Sequence, residues 1–203
     1  MDAFFFHKEN KNREDYRTMA GTMSGTIRED GRITGELVYI RPITRNDTDL
    51  IVNWRNNETV RPYFIYQKPF TREGHEKWLK EMIDSGKGFQ FIVCEKNTDR
   101  PIGCTYLRDY NREHHKIEYG MFIGEKPSAG HGIGSGIVAL TAKFAFEEEH
   151  IHKMFCRIFA DNMASVKSCE NGGFVQEAYL KEDVLVNGKY RDMVLLAMIN
   201  QEQ

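Results

Sequence analysis

Nine residues between a strand pattern and a helix pattern constrain the fold of this chain most. The stretch S-A-G-H-G-I-G-S-G (128–136) follows H-K-I-E-Y-G-M-F-I-G (115–124) and precedes Ile137, Leu140 and Phe144, which have helical spacing. A glycine-rich turn at the start of a helix presents unpaired backbone N–H groups, which suit a phosphate or a pyrophosphate. The alternative is a tight strand–helix connection that holds no ligand.

The spacing of the glycines disfavours two common nucleotide loops. A Walker loop requires G-x-x-x-x-G-K-[ST], and no lysine follows the glycines here. A Rossmann fingerprint requires G-x-G-x-x-G early in a βαβ unit. This stretch instead reads G-x-G-x-G-x-G and follows strands that are predicted to be antiparallel.

Composition argues against several classes of partner. Lys and Arg (28 residues) nearly balance Asp and Glu (30 residues), so the net charge of −2 predicts no nucleic-acid partner. The four cysteines contain no C-x-x-C pair, which indicates free thiols in a reducing, cytoplasmic setting and no metal site. No apolar run approaches the roughly 18 residues of a membrane span, so no membrane partner is expected.

The elements are predicted in the order strand, two helices, three strands, glycine turn, helix, strand, helix and hairpin. The strands are predicted at residues 36–43, 89–96, 101–108, 115–124, 153–160, 174–186 and 190–199. Asn187-Gly188 predicts a type I′ turn between the last two strands. Residues 1–35 are predicted to be a mobile or loosely packed tail, and residues 36–203 a single domain.

Three separated motifs resemble the GNAT superfamily of acetyltransferases. A-G-H-G-I-G (129–134) is similar to the pyrophosphate loop of the family, [Q/R]-x-x-G-x-[G/A]. D-N-M-A-S-V-K-S-C-E-N-G-G-F (161–174) resembles N-x-x-[A/S]-x-x-x-[Y/C]-E-K-x-G-F. V-N-G-K-Y-R-D-M-V-L-L-A-M (186–198) is similar to the closing hairpin of the ribosomal-protein and polyamine acetyltransferase branches. In the first half, I-R-P-I (40–43), W-R-N-N-E-T-V-R (54–61) and E-G-H-E-K-W (73–78) resemble the front half of those branches and of amino-sugar acetyltransferases. The resemblance implies an α/β (α+β) fold with a mixed, mostly antiparallel, twisted sheet of about six to seven strands flanked by about four helices.

The resemblance implies acetyl-CoA as the co-substrate, with its diphosphate on the glycine turn and its pantetheine arm along the preceding strand. The cofactor-binding residues implied in this way are Met121, Phe122, Ile123, Ala129, Gly130, His131, Gly132, Ile133, Gly134, Ser135 and Asn162. Ala129 stands where the family usually carries Gln or Arg. This departure removes a side-chain contact from a loop that works mainly through backbone N–H groups.

An acceptor amine with a pKa of about 10 must lose a proton before it attacks an acetyl group. Glu118 is the predicted base, and its alternative role is that of a solvated strand residue paired with Lys116. By strand alternation Tyr119 faces away from Glu118 and is less favoured as a catalytic residue. Cys169 stands where many relatives carry a tyrosine that protonates the CoA thiolate, with Ser168 as a lesser candidate. Release of the thiolate through water, with no dedicated acid, is the alternative.

The acceptor is predicted to be a small-molecule or peptide amine. Its predicted binding residues are Trp54, Arg55, Asn56, Arg61 and Phe64. A protein N-terminus, a small amine and an amino sugar rank ahead of a polyamine, which would need an acidic pocket. Arg55 and Arg61 favour a phosphate or carboxylate on the acceptor, as in a nucleotide-linked amino sugar.

Two further expectations concern assembly and activity. Relatives are often dimers, so the resemblance implies a homodimer. The alternative to an enzyme is a non-catalytic acyl-CoA-binding module, an interpretation kept open by Ala129 and Cys169.

Overall fold

The described residues form one continuous sheet. A computed structural model of the chain describes residues 25–127 and 132–201. Within them, nine strands are ordered β1-β2-β3-β4-β5-β6-β7-β9-β8. They are β1 (Thr26–Ile27), β2 (Ile33–Thr34), β3 (Val38–Pro42), β4 (Phe89–Glu95), β5 (Pro101–Asn111), β6 (Lys116–Ile123), β7 (Lys153–Phe159), β8 (Val175–Val186) and β9 (Lys189–Ile199).

The strand pairing confirms the predicted mixed, mostly antiparallel sheet, although it holds more strands than the predicted six to seven. Among the pairs of described strands, β6 and β7 are parallel and the others are antiparallel. The additional strands are β1 and β2, which contain two residues each and are too short to produce a periodic pattern.

The two short strands lie in residues 25–35, which the sequence assigned to the tail. Ile33 pairs with Ile40 of β3 and is fully buried, so this part of the segment belongs to the sheet. Residues 1–24 lie outside the described residues, and for them the tail stays a prediction.

Four α-helices flank the sheet, as predicted. They are α1 (Thr48–Asn56), α2 (Arg72–Trp78), α3 (Ile133–Lys143) and α4 (Met163–Asn171). Short 3-10 turns lie at Arg45–Asp47 and Arg61–Tyr63, and π-helical turns at Leu79–Ile83 and Phe144–Glu148 extend α2 and α3.

Local sequence signals explain several element boundaries. Thr71 Oγ1 accepts a hydrogen bond from the Gly74 N–H at 3.1 Å and caps α2. Asn162 Oδ1 accepts one from the Ser165 N–H at 3.3 Å and caps α4. Asn187 and Gly188 adopt φ angles of 49° and 78°, which a type I′ turn between β8 and β9 requires.

The helices cover both faces of the sheet. On one face α1 contributes Ile51 and Trp54 to a cluster with Tyr39, Ile92 and Cys104. On the other face α3 contributes Ile133, Ile137 and Leu140 to a cluster that includes residues of β2 to β5. A further cluster joins α3 and α4 to β6, β7 and β9 on that second face. Six of the seven residues of β4 are buried, and burial on both faces explains its continuous apolar run F-I-V-C (91–94).

β6 and β7 separate after three residue pairs. Lys116, Ile117 and Glu118 pair with Lys153, Met154 and Phe155, and no further pairing is made. Beyond this point, within residues 25–127 and 132–201, β6 pairs only with β5 and β7 only with β9. We call this divergence the fork, and it opens a passage between the two faces of the sheet.

Candidate active site

The fork holds a cleft of about 450 Å³. Its walls come from β5, β6 and β7, from the segment Tyr63–Tyr66 on the α1 side of the sheet, and from α4 on the opposite side. The cleft therefore reaches both faces, and strand alternation does not exclude a residue of β6 from it.

Glu118 lies where the fork begins, in an ion-pair cluster that joins three strands. Its Oε2 accepts hydrogen bonds from Arg108 Nε at 3.2 Å and Nη2 at 3.1 Å, and its Oε1 accepts one from Arg157 Nε at 3.1 Å. Glu118 is only 5% exposed, so the alternative of a solvated residue paired with Lys116 is wrong. The cluster of Glu118, Arg108 and Arg157 lines the cleft.

Arg55 reaches the cleft from α1 between two aromatic rings. Its guanidinium carbon lies 3.3 Å from the centroid of the Phe64 ring and 4.9 Å from that of Phe70. Its Nε is buried and has no hydrogen-bond partner among the described residues. Burial lowers the pKa of Arg55.

Position 120 of β6 is a glycine because the Tyr106 side chain packs directly against the backbone there, in the wall of the cleft. The two residues are paired between β5 and β6, and a Cβ atom at Gly120 would overlap the Tyr106 ring. The Tyr106 side chain therefore lies directly over the β6 backbone, and burial raises the pKa of its phenol. A glycine in a strand interior is typical of such a close approach.

Tyr119 lines the cleft from the face opposite to Glu118. Alternation predicted its face correctly, since it packs with Cys156, Cys169 and Phe174 on the α4 side. It nevertheless reaches the cleft because the fork opens that face too. The phenol oxygen is buried without a hydrogen-bond partner among the described residues, and burial raises the pKa of Tyr119 well above its usual value.

Cys169 lies on α4 with its Sγ 4.0 Å from Cys156 Sγ of β7. Both cysteines are buried and line the cleft, and the contact with Cys169, together with burial, raises the pKa of Cys156. Ser168, the other predicted acid, packs against Gly134 of α3 and is not a cleft residue among those described.

The predicted cofactor residues divide into three groups. Met121, Phe122 and Asn162 line the cleft, whereas Ile123 packs in the core on the α3 side. Gly132 adopts a φ of 98° at the start of α3, where Ile133 is buried and Ser135 Oγ donates to the Gly132 carbonyl at 3.0 Å. Ala129, Gly130 and His131 lie outside the described residues.

Of the predicted acceptor residues, Arg55 and Phe64 line the cleft, and Trp54, Asn56 and Arg61 do not. Trp54 is 2% exposed, and its Nε1 donates to Glu125 Oε1 at 2.9 Å. Asn56 bonds both the carbonyl and the N–H of Phe70 at 2.8 Å and so fastens the loop that carries Phe64. These contacts give Trp54 and Asn56 structural roles.

Several cleft residues were not among the predicted site residues. Ile65 and Tyr66 follow Phe64 in a segment without periodicity, and Arg108 and Arg157 lie on strands far apart in the chain. The exposed apolar run Y-F-I-Y (63–66) is the one sequence signal that could have identified the first pair. No local signal predicts that the two arginines converge on Glu118.

A mixed sheet forked between two parallel strands, with a helix that begins at a glycine beside the cleft, agrees with the acetyl-CoA-dependent transferase fold that the sequence resemblance implied. Comparison with known proteins gives the family: residues 38–175 match the family model described as Acetyltransferase (GNAT) domain. The chain belongs to this family. It is an N-acetyltransferase that uses acetyl-CoA as its co-substrate, and the resemblance read from the sequence is confirmed.

The relatives differ in their acceptors. The chain is 27% identical over 158 residues to spermidine N(1)-acetyltransferase of Vibrio cholerae, which covers 76% of this chain and 88% of that protein. It is 24% identical over 177 residues to the probable N-acetyltransferase YjcK of Bacillus subtilis, and the alignment covers 84% of this chain and 98% of that protein. The crystal structure of ribosomal-protein-S5-alanine acetyltransferase from Vibrio fischeri matches with a TM-score of 0.72 and 25% identity. The match covers 84% of this chain and 97% of that chain.

Among the described residues, no helix has the length and apolar character that crossing a bilayer requires.

Proposed function

We propose that this protein acetylates a primary amine that enters the cleft from the side of Arg55 and Phe64, while acetyl-CoA occupies the side of α3 and α4. The observation that carries the proposal is the fork, because its cleft joins the start of α4 on one face of the sheet to a space lined by arginines on the other. A passage of this kind lets two substrates approach from opposite faces and meet between the strands.

The residues present fit acetyl-CoA in two respects. Beyond Glu118, the β6 edge that faces β7 has no partner among the described strands, so its N–H and C=O groups are available to the pantetheine amides. Gly132, in the left-handed region, opens α3, and the first turn of a helix leaves N–H groups for an anion such as the diphosphate. Acetyl-CoA supplies the activated acetyl group, and the CoA thiol leaves as the amide bond forms.

Glu118 is the proposed proton acceptor. Of the described residues that line the cleft, it is the one carboxylate. Both of its oxygens accept arginine hydrogen bonds, so taking up the amine proton requires that one of those bonds is released or that a water relays the proton. The two arginines also hold the Glu118 carboxylate in one orientation, so less conformational entropy is lost when it reacts.

The thiolate that leaves needs a proton, and two buried groups flank its proposed path. The Cys169 thiol is the donor implied by the resemblance, and the Tyr119 phenol is a second hydrogen-bond donor on the same side of the cleft. The raised pKa of Tyr119 suits hydrogen-bond donation to sulfur more than full proton transfer. Ser168 is less well supported, since it packs against α3.

A thiol-release assay with acetyl-CoA and a panel of primary amines tests the proposal. A bulky side chain in the cleft should abolish turnover, so Ser165→Trp is expected to lower both turnover and calorimetric acetyl-CoA affinity more than tenfold. Lys167→Trp is the matched control, because Lys167 is exposed on the same helix and does not line the cleft. It should retain both properties.

Two outcomes would contradict the proposal. Acetyl-CoA binding without turnover of any amine would favour the non-catalytic module. Equal behaviour of the two tryptophan variants would place the acetyl-CoA site outside the fork. The homodimer and the cytoplasmic location stay predictions, which gel filtration with light scattering and cell fractionation would address.

A further inference from the structure

The acceptor side of the cleft carries an excess of positive charge. The charged residues that line the cleft, among those described, are Arg55, Arg108, Arg157 and Glu118. Arg108 and Arg157 share Glu118 as their common partner. Arg55 makes no ion pair with any described residue, and burial, not a neighbouring acid, dominates its environment.

A half-buried cation without a counter-ion is unfavourable unless a ligand supplies one. Stacking on Phe64 stabilises the face of the guanidinium, and its N–H groups lie along the edge, where the buried Nε has no hydrogen-bond partner among the described residues. Those N–H groups form a planar fork that matches a carboxylate or a phosphate in a bidentate manner. The aromatic sandwich thus presents Arg55 in one orientation, and the loop that holds Phe64 is itself fastened by Asn56.

The geometry points to Arg55 as a specificity-determining residue that binds an anionic group on the acceptor, so we propose that the substrate is an amine that also bears a carboxylate or a phosphate. This inference rests on the proposed function, since it concerns the amine acetylated in the same cleft. A polyamine carries only positive charge and would be repelled by the same arginines.

Matched pairs of acceptors, which carry the same amine with and without an anionic group, measure the effect of the anion on kcat/KM separately from that of the amine. We would compare 2-aminoethyl phosphate with ethanolamine, β-alanine with β-alanine amide, and both pairs with spermidine, by thiol release from acetyl-CoA. We expect a kcat/KM at least tenfold higher for the anionic member of one pair. The first pair reports on phosphate and the second on carboxylate, so the preferred pair identifies the anion.

Arg55→Met removes the charge while keeping an apolar chain between the rings. It should lower kcat/KM for the anionic member by about 10-fold to 100-fold and change that for the neutral member less than threefold. Arg55→Lys keeps a charge without the planar fork and should retain part of the preference. Arg45→Met is the control, because Arg45 is exposed, pairs with Asp84 and does not line the cleft.

Product binding gives a readout that does not depend on turnover. Calorimetry of the N-acetylated products in the presence of CoA should show the anionic product binding the wild type more tightly than the neutral one, with the difference lost in Arg55→Met. Equal effects of Arg55→Met on both members, or spermidine as the best acceptor, would overturn the inference while leaving acetyl transfer intact. Failure of every amine and of acetyl-CoA binding would instead overturn the proposed function.

Discussion

Replacing Glu118 by glutamine tests the chemistry and the architecture of the fork together. The substitution keeps the shape of the side chain and removes its charge. Glutamine offers one acceptor oxygen, so its amide nitrogen must face one of the two arginines that now donate to the carboxylate. The variant therefore loses its hydrogen bonds to one arginine. The other arginine then donates to a neutral amide oxygen instead of a charged carboxylate, which weakens that interaction as well.

The magnitude follows from the hydrogen bonds that are lost. A hydrogen bond to a charged group contributes about 1.5–3 kcal/mol, and two such interactions weaken here. Water compensates in part, because the Arg108 and Arg157 side chains are 36% and 37% exposed. We expect a loss of about 2–4 kcal/mol in the free energy of unfolding, which for a chain of this size lowers Tm by roughly 5–12 °C.

The kinetic effect is separate from the loss of stability. If Glu118 takes the amine proton, kcat/KM at neutral pH should fall by about 100-fold or more, since general bases typically contribute 10²–10⁴. The remaining rate should rise with pH toward the pKa of the free amine, about 10 for an alkyl amine. Acetyl-CoA affinity, measured by calorimetry, should change less than threefold.

Glu95→Gln is a matched control for this experiment. Glu95 is also buried, with its side chain only 5% exposed, and pairs with Arg100 at 3.2 Å, yet it does not line the cleft. It should lose stability without a change in the pH–rate profile, while Glu118→Asp should keep part of the pH response because a carboxylate remains. An unchanged pH–rate profile in folded Glu118→Gln would remove Glu118 from proton transfer and leave it a structural role at the fork.

Three other perturbations have defined outcomes. Gly120→Ala should lower the free energy of unfolding by about 1–3 kcal/mol in thermal denaturation, because its methyl group overlaps Tyr106, whereas Gly136→Ala, with open space around it, should be neutral or stabilising. Cys169→Ala should lower kcat less than tenfold, because its thiol packs against Cys156; a much larger loss in a folded variant would make Cys169 the proton donor. Burial lowers the pKa of His75, which favours its neutral form in the folded state, so its contribution to stability is present above the unfolded pKa near 6.5 and lost as the pH falls below it. Urea denaturation from pH 5 to 7.5 should show this decline, and His75→Gln should reduce it.

Sequence reasoning placed most elements of the fold, because their signals are local. Helix caps at Thr71 and Asn162 and the Asn187-Gly188 turn each depend on a few neighbouring residues, and the structure contains all three. The same reasoning missed β1 and β2, because these two-residue strands are defined by pairing, β1 with β2 and β2 with β3, rather than by a pattern of their own.

The candidate site was predicted less completely than the fold. The side-chain chemistry of Trp54 and Asn56 predicts acceptor residues, but the structure pairs them with Glu125 and the Phe70 backbone, which are distant or unpatterned in sequence. Alternation places Tyr119 on the face opposite to Glu118, and the structure confirms that face. Both residues nevertheless line one cleft, because the fork is open to both faces of the sheet, and alternation alone does not predict this.

The sequence by itself determined the family and the kind of co-substrate, since a glycine turn between a strand and a helix, followed by the capped helix at Asn162, is written in contiguous residues. Only the tertiary structure decided which charged residues line the cleft. Strand register brings Arg108, Glu118 and Arg157 together from three strands. Packing places Arg55 between two rings, with no acidic partner in the part of the chain that the structure describes. The physical reason is that register and packing depend on contacts between residues far apart in the chain, which local periodicity does not encode.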